Sequence, residues 1–312
     1  MHIDLARAAD FTFSFLPSPN RWDVRHMRDG LVLLSRMISD DAFHDLVVCD
    51  PLRRRYVLVP PVPEHLAAFV PKRDRWTSTP FLAPAGGDFD DGKEETWPFS
   101  VVCTVASGNK AVAFVFCSSG NGEWRGTTYN SSSMLPGGLF GYTHGYHRSY
   151  VHGCFYWIVD DYSYSLVLDT RKMEFSDMDL PLPPDNGRKH SAIVDAGEGM
   201  LGMLTFDSSR ASLFRMIRRN NSADAEWEPF KMIPLPKDTN RENYVWLSSN
   251  SAAEVHLLMA TRWTSRARQY HYHTLDLKTL LLQRLCGSNL HYSGSPSHIY
   301  ERFPPLLSPP SI

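Results

Sequence analysis

The chain contains no run of about 20 apolar residues, so no helical membrane span is expected, and Met1 to Asp10 lacks the apolar core of a secretory leader. Charge of one sign is also missing. With 32 basic against 34 acidic residues and a formal net charge of −2, no global field would recruit nucleic acid or an anionic membrane. Cysteine is scarce: Cys49, Cys103, Cys117, Cys154 and Cys286 are widely spaced and form no Cys-x-x-Cys pair, which excludes the usual zinc and redox motifs. They read as small apolar side chains in a reducing compartment, so an intracellular setting, cytoplasmic or nuclear, is expected. The sequons at Asn130 and Asn220 then become chance matches. There is no Gly-x-Ser-x-Gly elbow, no His-Glu-x-x-His, no phosphate loop and no dinucleotide fingerprint. These absences lead to the expectation of no enzyme activity and no cofactor.

What is present is a repeat. The composition is globular, with 43% hydrophobic and 21% charged residues. A strand-like run, an acidic corner, a polar turn, a second strand and a proline ending recur. The segment Asp45-Leu46-Val47-Val48-Cys49-Asp50 leads through Arg53-Arg54-Arg55 to Tyr56-Val57-Leu58-Val59-Pro60-Pro61. Ser165 to Asp169 leads likewise through Glu174-Phe175 to Leu180-Pro181, and His273 to Asp276 leads to Leu280-Leu281-Leu282 without the proline. One further hairpin unit fits between successive corner aspartates, giving a period of roughly 55 residues, kelch-like in length. Phe99 to Ala106 and Ala111 to Cys117 flank a Gly108-Asn109 turn, a hairpin signal. Gly153 to Val159 is too short for a helix and rich in aromatic and β-branched residues, so it reads as an inner strand. Five units of about four strands predict an all-β chain, a β-propeller of about five to six four-stranded blades, as a single domain over 1–312 with a Pro-rich tail over 301–312. Glu64 to Phe69 is one of the few segments suited to a helix.

Phe11-Thr12-Phe13-Ser14-Phe15-Leu16-Pro17, Trp22, Arg28-Asp29-Gly30-Leu31 and Val48-Cys49-Asp50-Pro51, with the Tyr156-Trp157 strand and Tyr300 to Leu307, resemble the F-box-associated β-propeller family of plants, especially its grass-type members. The resemblance covers nearly the whole chain. It implies a non-catalytic substrate-recognition propeller of the kind found behind the F-box of ubiquitin-ligase receptors, with an unidentified protein as partner. Only ten residues precede Phe11, so an F-box is not expected and neither is binding of the Skp adaptor. Two alternatives stay open: a propeller enzyme of glycosidase type with carboxylates in a central channel, and a degenerate F-box-less paralogue or gene fragment.

Candidate sites are few. His144, His147 and His152 cluster in sequence, and His271 and His273 share a strand face, but no Cys or carboxylate completes a ligand spacing, so no metal is expected. Asp88 to Glu95 misses a ligand at its fifth position, Gly92, and reads as a solvated loop rather than a calcium site. Basic clusters fall at Arg53 to Arg55, at Arg215, Arg218 and Arg219, and at Arg262, Arg266 and Arg268. Trp263 lies inside the last. An apolar anchor beside guanidinium donors makes Arg262, Trp263, Arg266 and Arg268 the expected partner-binding loop.

Overall fold

A computed structural model describes residues 10–37, 42–84, 98–119, 122–135, 139–140, 148–159, 164–181, 190–206, 210–218, 225–234, 244–248, 256–262 and 270–288. They build an all-β fold of five four-stranded antiparallel sheets, each an up-and-down meander, the blade architecture of a β-propeller. The first blade holds β1 (Asp23–Arg28), β2 (Leu31–Arg36), β3 (Asp45–Asp50) and β4 (Arg55–Val59); the second holds β5 (Thr79–Ala83), β6 (Ser100–Ser107), β7 (Lys110–Cys117) and β8 (Trp124–Asn130). The third is β9 (Arg148–Val151), β10 (Cys154–Ile158), β11 (Tyr164–Asp169) and β12 (Glu174–Asp179); the fourth is β13 (His190–Asp195), β14 (Leu201–Phe206), β15 (Arg210–Arg218) and β16 (Ala225–Pro234). The fifth is β17 (Tyr244–Ser248), β18 (His256–Arg262), β19 (Tyr270–Asp276) and β20 (Leu282–Ser288). The first strand of each sheet is its inner edge: β1 lies beside β5, β9 beside β13, and β13 beside β17.

The repeated corner has one chemistry in three blades. Asp50 accepts the amides of Leu52 and Arg53 at 3.0 and 3.1 Å, Asp169 those of Arg171 and Lys172 at 2.9 and 3.0 Å, and Asp276 those of Lys278 and Thr279 at 2.8 Å each. Four residues past each aspartate the backbone turns left-handed, at Arg54 (φ 51°), Met173 (φ 58°) and Leu280 (φ 58°). The carboxylate supplies the acceptors that a tight turn leaves its amides without. The first hairpins of blades one and three also match. Asp29-Gly30 and His152-Gly153 have positive φ at both residues, the I′ geometry whose twist suits flanking strands.

Two kinds of link join the first blade to the second, and the same two join the third to the fourth. On the outer strands, Trp124 Nε1 donates to the Pro60 carbonyl at 2.8 Å and Trp227 Nε1 donates to the Asp179 carbonyl at 3.0 Å. Each acceptor lies where the fourth strand of the preceding blade ends, so the proline ending of the repeat frees a carbonyl that the next blade's indole satisfies. On the inner strands, the Leu82 amide donates to His26 Nδ1 at 3.2 Å and the Ile193 amide donates to Ser149 Oγ at 3.1 Å. Trp124→Phe keeps the ring but removes the donor, and is expected to cost about 1–2 kcal/mol. A thermal midpoint unchanged from the parent would contradict it.

The described residues fall into two compact units, one within 10–107 and 112–126 and the other within 108–111 and 127–288. In the first unit the two faces of the first blade go to different cores. Leu31, Leu33, Leu46 and Val48 join the second blade's Val101, Val112 and Phe114, with Leu66 of α1 (Glu64–Ala67). Val32, Leu34, Val47 and Cys49, one residue out of phase, meet Phe13 and Leu16. If the termini close the ring of blades, Phe11 to Phe15 is expected to pair with, or lie beside, a C-terminal strand between Asn289 and Arg302, a segment outside the described residues. Phe11 to Phe15 is turns, not strand. Asp10 organises it, accepting from Thr12 and Ser14 through both amides and hydroxyls, which holds its carboxyl near pKa 2. In the second unit, Tyr156, Ile158 and Val167 of the third blade pack with Ile193 and Met203 of the fourth. Cys49 and Cys103 are buried free thiols, both pushed by burial to about 12. No helix among the described residues is long and apolar enough to cross a membrane.

Candidate functional site

The described part of the molecule concentrates charge, aromatic surface and a half-buried imidazole at one end of the first blade. There β1 begins, β2 ends and β3 begins: Asp23 pairs with Ser35 and Arg36 with Asp45. The β1–β2 ladder slips between Val24 and His26, leaving Arg25 as the extra residue of a bulge. Bulges re-aim a side chain and occur often beside active sites. Arg25 Nε donates to Ser35 Oγ at 2.5 Å. Arg36 forms an ion pair with Asp45 and lays its guanidinium over the Trp22 indole, 5.0 Å from the ring centre. Trp22 is tied down in turn by its Nε1, which donates to the Pro17 carbonyl at 2.9 Å.

A second segment reaches the same place. The 3-10 turn Lys72–Thr77 is anchored by Arg75, a buried arginine that donates to Glu64 (Oε1 3.0 Å, Oε2 3.4 Å) and to the Ala67 carbonyl at 3.1 Å. Its guanidinium also stands 5.8 Å from the Phe43 ring centre. Rooting Arg75 fixes its neighbour Trp76, which stays 48% exposed. Thus Phe43-His44 and Arg75-Trp76 meet as two dipeptides, since His44 hydrogen bonds to the Trp76 backbone.

His44 is the unusual member. Burial pushes its imidazole below the usual value of 6.5, the Arg25 charge pushes the same way, and the Trp76 bond and the Asp23 carboxylate oppose them. The unfolded chain takes up this proton at 6.5 and the folded chain only at lower pH. Its contribution to stability is therefore present above 6.5 and is lost as pH falls through that window. Its Nδ1 is buried and has no hydrogen-bond partner among the described residues. A neutral imidazole with an unused acceptor can take a proton, Asp23 and the guanidinium groups can orient a polar ligand, and the indoles offer flat apolar faces.

Sequence reasoning did not single out this cluster, because its members are scattered over Trp22 to Trp76 and make no motif. The signal within reach was the pair of tryptophans beside arginines, which drew attention only at Trp263. Of the expected partner-binding residues, Arg262 ends β18 opposite Tyr270, while Trp263, Arg266 and Arg268 lie outside the described residues. The other basic clusters disperse into local contacts: Arg53 pairs with Asp50 at 2.8 Å, and Arg215 donates to the Ala196 carbonyl at 2.9 Å and lies 3.3 Å from the Phe230 ring centre. His152 sits in a hairpin turn, 3.4 Å from the Asp195 carboxylate, His273 is buried in β19, and His144, His147 and the Asp88 to Glu95 loop lie outside the described residues. No group of three metal-ligating side chains occurs among the described residues.

No family model matches the chain, and no curated protein does. Solved structures do. A periplasmic gluconolactonase of Pseudomonas aeruginosa is similar at 11% identity and TM-score 0.37, over 86% of this chain and 68% of that one. An oligogalacturonate lyase in complex with manganese is similar at 8% identity and TM-score 0.39, over 86% and 65%. A post-proline cleaving enzyme from Rickettsia typhi is similar at 6% identity and TM-score 0.39, where this chain spans 42% of the other. Lactonases and a lyase stand among the matched structures, and the expectation of a non-catalytic recognition propeller without enzyme activity is not borne out by them. They assign no substrate and no residue role to this chain.

Proposed function

We propose that the chain is an enzyme of acid–base type, working at the end of the first blade with His44 as the proton-accepting group. The observation that carries this reading is the neutral imidazole whose buried Nδ1 lacks a partner among the described residues, set between Arg25, Asp23 and the Trp76 backbone. A buried polar atom left unpaired is costly, and a proton-transfer role is one of the few reasons to keep it. Guanidinium groups beside such a base suit a substrate carrying a carboxylate, whose neighbouring C–H they make more acidic, and the Trp22 and Trp76 rings suit a sugar-like face. Cleavage of uronate chains by elimination and hydrolysis of aldonolactones are the two reactions to screen, by ultraviolet absorbance of the unsaturated product and by acid release in a pH-stat. His44→Gln is expected to lower turnover about 100-fold or more with the fold intact, and the parent's activity should persist to a pH below that of an ordinary histidine. Turnover equal in parent and variant would overturn the assignment. The F-box-associated lineage, supported by the motifs at Phe11 to Pro17, Arg28 to Leu31 and Val48 to Pro51, and an intracellular setting belong to the same proposal.

A further inference from the structure

The inner edges of the two linked blade pairs carry the same joint built from different side chains. In the first blade His26 lies opposite Leu33, which lies opposite Val48, two residues before the corner aspartate Asp50. In the third blade Ser149 lies opposite Tyr156, which lies opposite Val167, two residues before Asp169. His26 and Ser149 therefore occupy one position of the repeat. From that position each accepts a backbone N–H of the next blade's inner strand, Leu82 at 3.2 Å and Ile193 at 3.1 Å. The joint has a clear purpose. An inner strand is a sheet edge, paired on one side only, and its other amides need acceptors when buried.

Serine accepts this bond at any ordinary pH. Histidine accepts it only while Nδ1 carries no proton, because the imidazolium has two donors and no acceptor. We infer that the first-to-second blade joint is a pH-sensitive lock, closed by neutral His26 and released when His26 is protonated, whereas the third-to-fourth joint is insensitive to pH. Its setting makes protonation disruptive. His26 is 1% exposed, with the Phe81 ring centre 6.3 Å away in edge-on contact. The facing strand β5 holds Thr79, Pro80, Phe81, Leu82 and Ala83 and no ionisable side chain, and on β2 the sole charged residue is Arg36 at the far end. On β1 itself stand Asp23, Arg25 and Arg28. Arg28, two residues along, is 5% exposed and 3.7 Å from the exposed Asp29 carboxylate. Protonation would point a donor at the Leu82 N–H and add a third cation, beside Arg25 and Arg28, to the same strand in a dry environment. Release would loosen the strand that carries Asp23 and Arg25, yet the lock stands whether or not His44 is a catalytic base.

The test is amide hydrogen exchange on the whole chain at roughly pH 8 and about pH 5, which bracket an ordinary histidine, with rates corrected for intrinsic exchange. In the parent the Leu82 protection factor should fall about tenfold or more on acidification while that of Ile193 holds, as expected for a local opening. His26→Ser, which copies the third blade, should make Leu82 protection independent of pH. His26→Asn gives the same comparison if serine leaves too large a gap. Ser149→His should move the acid response to Ile193. Parent Leu82 protection that does not change with pH would overturn the lock, and so would an acid response that survives in both His26 variants.

Discussion

Trp157→Ala is expected to remove about 3–5 kcal/mol of stability, the scale for emptying a large aromatic site in a packed core. Trp157 sits mid-strand in β10 at 1% exposure, opposite Leu166. Phe140 meets it edge-on with ring centres 4.9 Å apart, and Phe155, two residues back on the same face, lies at 6.0 Å. Removing the indole takes a neighbour from both rings, although Phe155 keeps Tyr150 at 4.6 Å, and neither can collapse into the space without moving its own strand or turn. Trp157→Phe should recover more than half of the loss, because an aromatic edge survives. The denaturant midpoints of the two variants decide the matter. An alanine variant within about 1 kcal/mol of the parent would mean that the site collapses freely, against the close packing of interiors.

This core strand was plain in the sequence, since Cys154 to Ile158 is a short aromatic and β-branched run that a helix would not use. The strands built on apolar runs, and the Gly108-Asn109 turn with φ 62° at Gly108, could be read for the same local reason. β5 could not. Pro80 sits in its middle, and proline argues against a central strand, yet β5 is an inner edge paired only with β6, so a missing donor costs it nothing there. The N-terminal phenylalanines were expected to pair with, or lie beside, a C-terminal strand. In the structure Asp10 takes the local amides into turns, and Phe13 and Leu16 cover a sheet face instead.

The candidate site shows the opposite limit. His44 has no motif around it, and its character comes from burial, from a bulge that re-aims Arg25, and from a turn rooted by Arg75 31 residues later. None of these has a sequence period. The paired-blade pattern was half visible. The corner aspartates recur in alternate blades, which is why each gap between them holds one extra unit, but the indole-to-carbonyl and side-chain-to-amide joints connect residues 44 to 64 positions apart. Only the fold brings them together.

Replacing the three corner aspartates by alanine should separate them by burial rather than by the number of bonds they make. Each carboxylate accepts two backbone amides at nearly the same distances, so a count of bonds predicts equal losses. Asp50, however, is 2% exposed and also holds Arg53 at 2.8 Å, whereas Asp169 and Asp276 are partly open to solvent. At the open corners water replaces the lost acceptor, and Asp169→Ala and Asp276→Ala should each cost about 1 kcal/mol, as for loss of an exposed cap. At Asp50 the turn still needs the left-handed Arg54, while the amides of Leu52 and Arg53 lose an acceptor where water has poor access. Asp50→Ala should therefore cost about 2–4 kcal/mol. Asp50→Asn, which keeps an acceptor oxygen but not the charge, should fall between alanine and the parent. Chemical denaturation of the four variants tests the order, and equal losses at the three corners would show that solvent reaches Asp50 as readily as the other two.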